Sequence, residues 1–304
     1  MNTLVIGGNG FIGSHLIDHL LLKGHNVRVF DISYERYRKP LFNVDYRISR
    51  LDNIPDLYEA LLGIDIIFHL ASSSVPSTSN IDTISDITEN LFPTLNILNV
   101  AVKLGIKRIV YFSSGGAVYG NPLKLPISEE HPINPISSYG IVKATSERYI
   151  SLYQRMFELK PIILRPSNPY GPRQGHYMAQ GVISTFLRKV KMNEMITIYG
   201  DGNSIKDYIY IDDLIKLACK ASFSNEVGVF NLGIGIGTTI KQIIEQIRIT
   251  TGKNLEINNK EKQIYDVDHF ILDISKINNL FGAHPSTSLE EGIEKTWNWL
   301  NTIE

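Results

Sequence analysis

The sequence predicts an α/β protein built on a doubly wound parallel sheet, and three observations predict it. Short apolar runs alternate with longer helical patterns through the first half of the chain, which is the rhythm of βαβ units. A glycine triplet separates the first run from the first helical pattern. The 304 residues suffice for one large domain or two closely joined ones, at about 100–200 residues each.

The first strand reads Thr3-Leu-Val-Ile6. Leu16, Ile17, Leu20 and Leu21 then recur at helical spacing, and Gly24 caps the helix before a second strand, Val27-Arg-Val-Phe30, completing one βαβ unit. Residues 64–70 and 108–112 read as further strands, 85–104 and 138–158 as two long helices, and 161–164 as another strand. The polar run 72–79 is too short for a linker and reads as a loop beside a site. After about Arg165 the turn residues of Asn168-Pro-Tyr-Gly-Pro172 and Gly200-Asp-Gly-Asn203 shorten the elements, which predicts a smaller α/β C-terminal lobe. Its helices are expected at 180–191, 238–250 and 288–300, while 211–221 and 229–232 are expected to return to the large sheet. The domain reading is therefore 1–167, with 205–235 returning to it, and a substrate lobe of 168–204 and 236–304.

Composition excludes several function classes. Thirty Lys and Arg against 31 Asp and Glu leave a formal net charge of -1, so bulk attraction holds neither nucleic acid nor a membrane surface. A hydrophobic content of 43% is too high for a disordered chain. No stretch reaches the ~18 apolar residues of a membrane span, and the N-terminus, which runs directly into a strand, reads as the mature start. The single cysteine, Cys219, excludes an intrachain disulfide and fits a reducing cytoplasm.

Gly7, Gly10 and Gly13 form G-x-x-G-x-x-G between the first strand and the first helix. Glycines at this spacing let the backbone approach a pyrophosphate, which sits on the unpaired N–H groups of the helix N-terminus. Asp31 ends the second strand 18 residues after Gly13. A carboxylate there accepts from ribose hydroxyls and repels a 2′-phosphate, so NAD is expected over NADP. Arg36, Arg38 and Lys39 follow and read as a solvated basic turn.

Tyr139 and Lys143 stand at i, i+4, on one face of the second long helix. A phenol with a pKa near 10 is a poor base at neutral pH. The neighbouring ammonium and an oxidised nicotinamide ring would stabilise the phenolate, and lowering it by about three units takes about 4 kcal/mol.

With the segments Gly7-Gly-Asn-Gly-Phe-Ile-Gly-Ser-His-Leu16, Phe68-His-Leu-Ala71, Val118-Tyr-Gly120, Ser138-Tyr-Gly140, Asn168-Pro-Tyr-Gly171 and Asp207-Tyr-Ile-Tyr-Ile-Asp212, the chain resembles the extended short-chain dehydrogenase/reductase family over nearly its whole length. Within that family it is similar to the nucleotide-sugar 4-epimerases. The resemblance implies a Rossmann domain, NAD as cofactor, a nucleotide-diphosphate sugar of the UDP-hexose type as substrate, and a homodimer. It implies Tyr139 as acid/base and Lys143 on the nicotinamide ribose. The cofactor contacts it implies are Gly7, Gly10, Phe11, Ile12, Gly13, Asp31, Leu70, Ala71, Asn90, Ser113 and Pro166, with Ser72, Ser114, Asn168, Thr197, Tyr199, Lys206 and Phe270 toward the substrate. His69 reads as a satisfied core histidine.

The chain departs from the family pattern at several places. Gly115 occupies the position of a family Ser or Thr hydroxyl, for which Ser114 is the substitute. Arg50 replaces an acidic residue near the adenine, and Lys206 and Gln263 replace two diphosphate arginines, with Lys262 or Arg173 as replacements for the second. Gly116-Ala117 lacks the two carboxylates of the family's dehydratases. Phe270 aligns with the side chain beside C2 of the sugar, where a ring favours plain hexoses over 2-acetamido sugars. The expected reaction is inversion at C4 through a 4-keto sugar. Its rivals are an NAD(P)-dependent reductase of a 4-keto sugar, and a non-catalytic sensor, which would have no use for an activated phenol.

Overall fold

Leu4, Val5 and Ile6 are wholly buried, as a strand covered on both faces requires, and they form most of β1 (Asn2–Ile6). The same reasoning places β2 (Asn26–Asp31), β4 (Ile66–His69), β5 (Arg108–Phe112) and β6 (Lys160–Pro166) inside the molecule, whereas β3 (Val44–Ile48) is an edge strand. The computed structural model describes residues 1–35, 37–75, 78–175, 181–261, 267–282 and 284–303.

The chain divides into two compact units. The first comprises Met1–Gly120, Pro132–Arg165 and Ala218–Phe230. Its seven-stranded sheet runs β3, β2, β1, β4, β5, β6 and an edge strand, Gly228–Leu232. The ladders among β1 to β6 are all parallel. Strand order reverses between β1 and β4, so the carboxyl ends of these two strands flank the switch point where such sheets bind ligands. This is the doubly wound Rossmann architecture expected from the sequence. A continuous core of Leu4, Ile6, Phe30, Ile67, Leu98, Ile109 and Ile163 lies against the sheet, and truncating any one of them to alanine costs about 2–5 kcal/mol.

Two elements differ from expectation and one is elaborated. β3 has no apolar run to signal it because Asp45 and Arg47 alternate outward, where Asp45 pairs with Arg28 at 2.7 Å. The expected helix at 85–104 forms as one uninterrupted helical run, Thr83 to Lys103, with a π-helical turn, Ile87–Leu91, between Thr83–Asp86 and Phe92–Lys103. Residues 211–221 supply no strand to the large sheet and form the helix Ile211–Ser222; Gly228–Leu232 does join it.

The second unit comprises Asn121–His131, Pro166–Leu217 and Asn231–Glu304. It contains Ile205–Tyr210, paired with Asn168–Tyr170, Gly237–Thr239 and His269–Phe270, and a separate ladder of Ile196–Tyr199 with Ile257–Lys260. Of the segment 205–235, the part Ala218–Phe230 belongs to the first unit and the strand Ile205–Tyr210 to the second. Helices Val182–Lys191, Ile240–Thr251 and Leu289–Thr302 form here. The last approaches so closely that a Cβ at Gly292 would lie 2.2 Å from the Tyr170 hydroxyl. Among the described residues no helix is long and apolar enough to cross a membrane.

Candidate active site

The three glycines after β1 do different work. Gly7 has φ +79, and a Cβ there would lie 2.6 Å from the Ala71 nitrogen; at Gly13 it would lie 2.4 Å from the Gly7 oxygen. Both are demanded by the chain's own packing. Gly10 is different, because its nearest atom would be 3.4 Å away, ordinary contact. The chain's own packing does not demand bare backbone at Gly10. Gly10 heads the helix Phe11–Leu22 without a side-chain cap, and the first N–H to bond back is that of Ser14, to the Gly10 carbonyl at 2.9 Å. The N–H groups of Phe11, Ile12 and Gly13 thus have no intrahelical acceptor, which suits a diphosphate.

Asp31, at the end of β2, accepts from the backbone N–H of Asn9 at 2.9 Å and of Ile32 at 2.7 Å. These bonds fix the carboxylate and leave lone pairs for ribose hydroxyls. The donors and acceptors here fit an NAD. Arg38 does not stand in solvent as expected: it pairs with Asp18 at 2.5 Å and Glu35 at 2.9 Å, so its charge is already engaged. Lys39 is exposed, and Arg36 lies outside the described residues. Leu70 donates to the Ile6 carbonyl at 2.9 Å, which keeps Leu70 and Ala71 beside the glycine loop. Arg50 is exposed and pairs with Asp52 at 3.2 Å.

Tyr139 and Lys143 lie on the helix Ser138–Phe157. Its first N–H groups are capped by side chains: Ser138 donates to Asn80 at 2.8 Å, Tyr139 to Ser79 at 3.1 Å and Gly140 to the N-cap Ser137 at 3.2 Å. The buried Lys143 ammonium donates to the Phe112 carbonyl at 2.9 Å and stands 5.7 Å from the Tyr139 ring centre. Ser114 shares a hydrogen bond with the Tyr139 hydroxyl. Gly115 lies inside the short helix Gly115–Val118 that Ser114 heads.

The electrostatics differ from a ready-made base. Although Tyr139 keeps a partly exposed edge, burial of its hydroxyl pushes the phenol up to about 12, with Ser114 opposing and Asp86 adding to the rise. Burial likewise lowers Lys143 to about 8, against the pull of Glu147 and Asp86. One desolvated ammonium does not outweigh a desolvated phenolate. In the chain by itself Tyr139 is an acid, and the expected lowering awaits a further positive charge.

Around this pair stand residues that sequence reasoning missed. Arg165 grips Glu147 through Nε at 3.0 Å and Nη2 at 2.6 Å, and reaches the Tyr119 hydroxyl at 2.8 Å. The Ser113 hydroxyl donates to Glu147 at 2.5 Å, so a ligand would meet Ser113 through its backbone. Asn90 is also committed: its side-chain oxygen accepts from the Ser73 N–H at 2.8 Å and its amide donates to Asp86 at 2.9 Å. Helical spacing of Lys143 and Glu147 was the one local signal for this cluster; the other partners are remote in sequence. His69 is buried, lies 2.9 Å from the Thr94 hydroxyl, and is lowered to about 3 by burial and by Lys143. It is a neutral core histidine. Ser72 is exposed, donating to the Ser74 carbonyl at 3.2 Å, and Pro166 ends β6 in a buried position.

In the second unit, Asn168 donates to the Asp207 carbonyl at 2.8 Å. Thr197 and the half-exposed Tyr199 lie on one short strand. Lys206 donates to the Val267 carbonyl, and Phe270, 1% exposed, pairs with Lys206 in the ladder. Asp207 organises this region by accepting from Ile234 and Gly235, each at 3.0 Å, and burial raises its carboxyl. Lys262 and Gln263 lie outside the described residues.

A switch-point sheet with a bare helix N-terminus, joined to a Tyr-Lys pair on a capped helix of the same unit, defines a dinucleotide-dependent enzyme. The chain belongs to the NAD dependent epimerase/dehydratase family, whose model matches residues 3–233. It is 36% identical over 304 residues to a putative UDP-glucose 4-epimerase of Methanocaldococcus jannaschii, covering 98% of this chain and 97% of that one. Among solved structures, the UDP-glucose 4-epimerase of Thermotoga maritima with UDP-glucose superposes with a TM-score of 0.94 at 34% identity, covering 99% of both chains. The UDP-glucose 4-epimerase of Thermus thermophilus in complex with NAD does so with 0.93 at 30% identity, again over 99% of both.

Proposed function

We propose that this chain is an NAD-dependent epimerase that inverts C4 of a UDP-hexose. The observation that carries the reading is the Tyr139, Lys143 and Ser114 cluster in a unit whose glycine loop fits NAD. Gly7, Gly10, Phe11, Ile12, Gly13 and Asp31 would hold the cofactor. When bound, oxidised NAD supplies a positive charge beside the phenol and a reversible acceptor for the hydrogen at C4. Tyr139 takes the proton from the C4 hydroxyl and later returns it, while Ser114 hydrogen-bonds the same oxygen. Lys143, oriented by the Phe112 carbonyl, adds its charge to the phenolate side of that equilibrium. The 4-keto sugar would turn over within the site, and a reversible acceptor would leave no cofactor consumed.

On the second unit, Asn168, Thr197, Tyr199 and Lys206 would meet the nucleotide diphosphate. Phe270 is the residue we assign to the C2 side, favouring UDP-glucose and UDP-galactose over their N-acetylated counterparts. A second copy of the chain would cover Ile141, Tyr149, Leu152 and Met156, a row of exposed apolar side chains along the helix Ser138–Phe157. A single, buried cysteine, Cys219, fits the cytoplasm.

The test is conversion of UDP-glucose to UDP-galactose by purified protein with no added reductant, with Tyr139→Phe alongside. Turnover should fall at least a hundredfold in the variant, on the scale of about 10²–10⁴ for an acid/base group, with NAD still bound. Stoichiometric consumption of reduced cofactor on a 4-keto sugar would instead establish the reductase.

A further inference from the structure

The Tyr139 helix is held in place from one buried carboxylate that the mechanism does not use. Asp86 is 3% exposed and ends the short turn Thr83–Asp86. One of its oxygens accepts from the Ser74 hydroxyl at 2.5 Å and from the Asn90 amide at 2.9 Å; the other accepts from the Ser138 hydroxyl at 2.6 Å. Ser138 is the residue immediately before Tyr139. Asn90, on the π-helical turn, also receives the Ser73 N–H, and its carbonyl accepts from Thr94 at 2.8 Å. Two remote pieces of chain and the next turn of its own helical run therefore converge on Asp86. A buried carboxylate with this many donors is satisfied and directional rather than merely tolerated.

We propose that Asp86 is a positioning residue for Tyr139, joining the Ser73–Ser74 turn and the Asn90 turn to Ser138 at the head of the Tyr139–Lys143 helix. The proposal rests on the C4-epimerase reading of Tyr139. Two consequences follow, one geometric and one electrostatic. Losing the carboxylate frees the helix head, and about 1 Å of misplacement at a reacting group costs about a hundredfold in rate. Losing its charge also moves a titration. The groups facing Tyr139 are Lys143 on its own helix, Ser114 after β5, Asp86, and Tyr111 on β5, a phenol that burial holds protonated; Glu147 faces Lys143 and is neutralised by Arg165 from β6. Asp86 sets a negative charge against the phenolate and also supports the Lys143 ammonium, so its removal makes the phenolate easier to form and the ammonium easier to lose, and both changes move the pH dependence downward.

The experiment compares NAD-loaded wild type, Asp86→Asn, Ser138→Ala and Tyr139→Phe in kcat, KM and the pH dependence of kcat. Asp86→Asn should lower kcat by about ten- to a hundredfold, leave KM for UDP-glucose nearly unchanged, and move the rising limb of kcat to lower pH. Wild-type kcat in Asp86→Asn overturns the proposal. A loss of kcat with an unmoved pH profile overturns it too, since a purely structural carboxylate would act that way. If Asp86→Asn does not fold, Ser138→Ala decides, because it deletes only the hydroxyl linking the helix head to Asp86: kcat should fall about tenfold, and an unchanged kcat refutes the link. Activity retained in Tyr139→Phe would remove the epimerase reading itself, and the proposal with it.

Discussion

Two helix N-termini in the first unit are built in opposite ways. The helix Phe11–Leu22 begins at a glycine with no cap, so three N–H groups are left for an anion. The helix Ser138–Phe157 begins with its N–H groups taken by Ser79, Asn80 and Ser137. An uncapped end has a cost, commonly about 1 kcal/mol relative to a good cap, which on the proposed function a ligand's diphosphate would offset. The capped end has no such opening; it is a platform that fixes Tyr139 and Lys143 relative to the sheet. On the proposed function, binding and chemistry would sit on two helices with complementary ends.

Breaking the first end should have the larger effect. Gly10→Ala inserts a methyl where only the ligand would meet it, and forcing such a contact costs about 1–3 kcal/mol, so NAD affinity should fall about ten- to a hundredfold by titration. Stability of the NAD-free protein should change by less than about 1 kcal/mol. If the NAD-free protein unfolds instead, Gly10 serves the chain and the contrast with Gly7 and Gly13 is lost.

Asp31→Asn sharpens the same end. Wild type should bind NAD at least about tenfold more tightly than NADP, a difference of about 1.4 kcal/mol, and the variant should narrow that ratio. Equal affinities in the wild type would mean that a 2′-phosphate finds cations despite the Arg38 ion pairs. At the capped end the effect should be smaller: Asn80→Ala removes one cap and should lower stability by about 1 kcal/mol in denaturant titration, with NAD affinity unchanged.

Legibility follows the same division. The glycine loop, Asp31 and the Tyr139–Lys143 pair were readable because each is a local pattern whose spacing carries the geometry. The strands β1, β4 and β5 were readable because burial on both faces makes them almost continuously apolar, and β2 because Val27, Val29 and Phe30 are buried around a single Arg28. β3 was not, since an edge strand alternates with charge. Asp86 and Arg165 were invisible for another reason: Asp86 meets Ser138 across 52 residues and Arg165 meets Glu147 across 18, and no local period encodes such pairs. The phenol's acidity in the chain by itself was not readable from spacing, because i, i+4 proximity to a lysine says nothing of how dry the site is. Burial of both groups reverses the direction in the absence of the second positive charge on which the expected lowering depends.

That reversal leads to the most direct test of the account, an ultraviolet difference titration of Tyr139 against Tyr139→Phe, with and without NAD. In NAD-free protein the phenol should stay protonated up to about 12; with oxidised NAD bound its ionisation should move down by several units, toward neutrality. An unchanged midpoint on NAD binding would contradict the claim that Tyr139 becomes the base only when the uncapped helix end holds the cofactor.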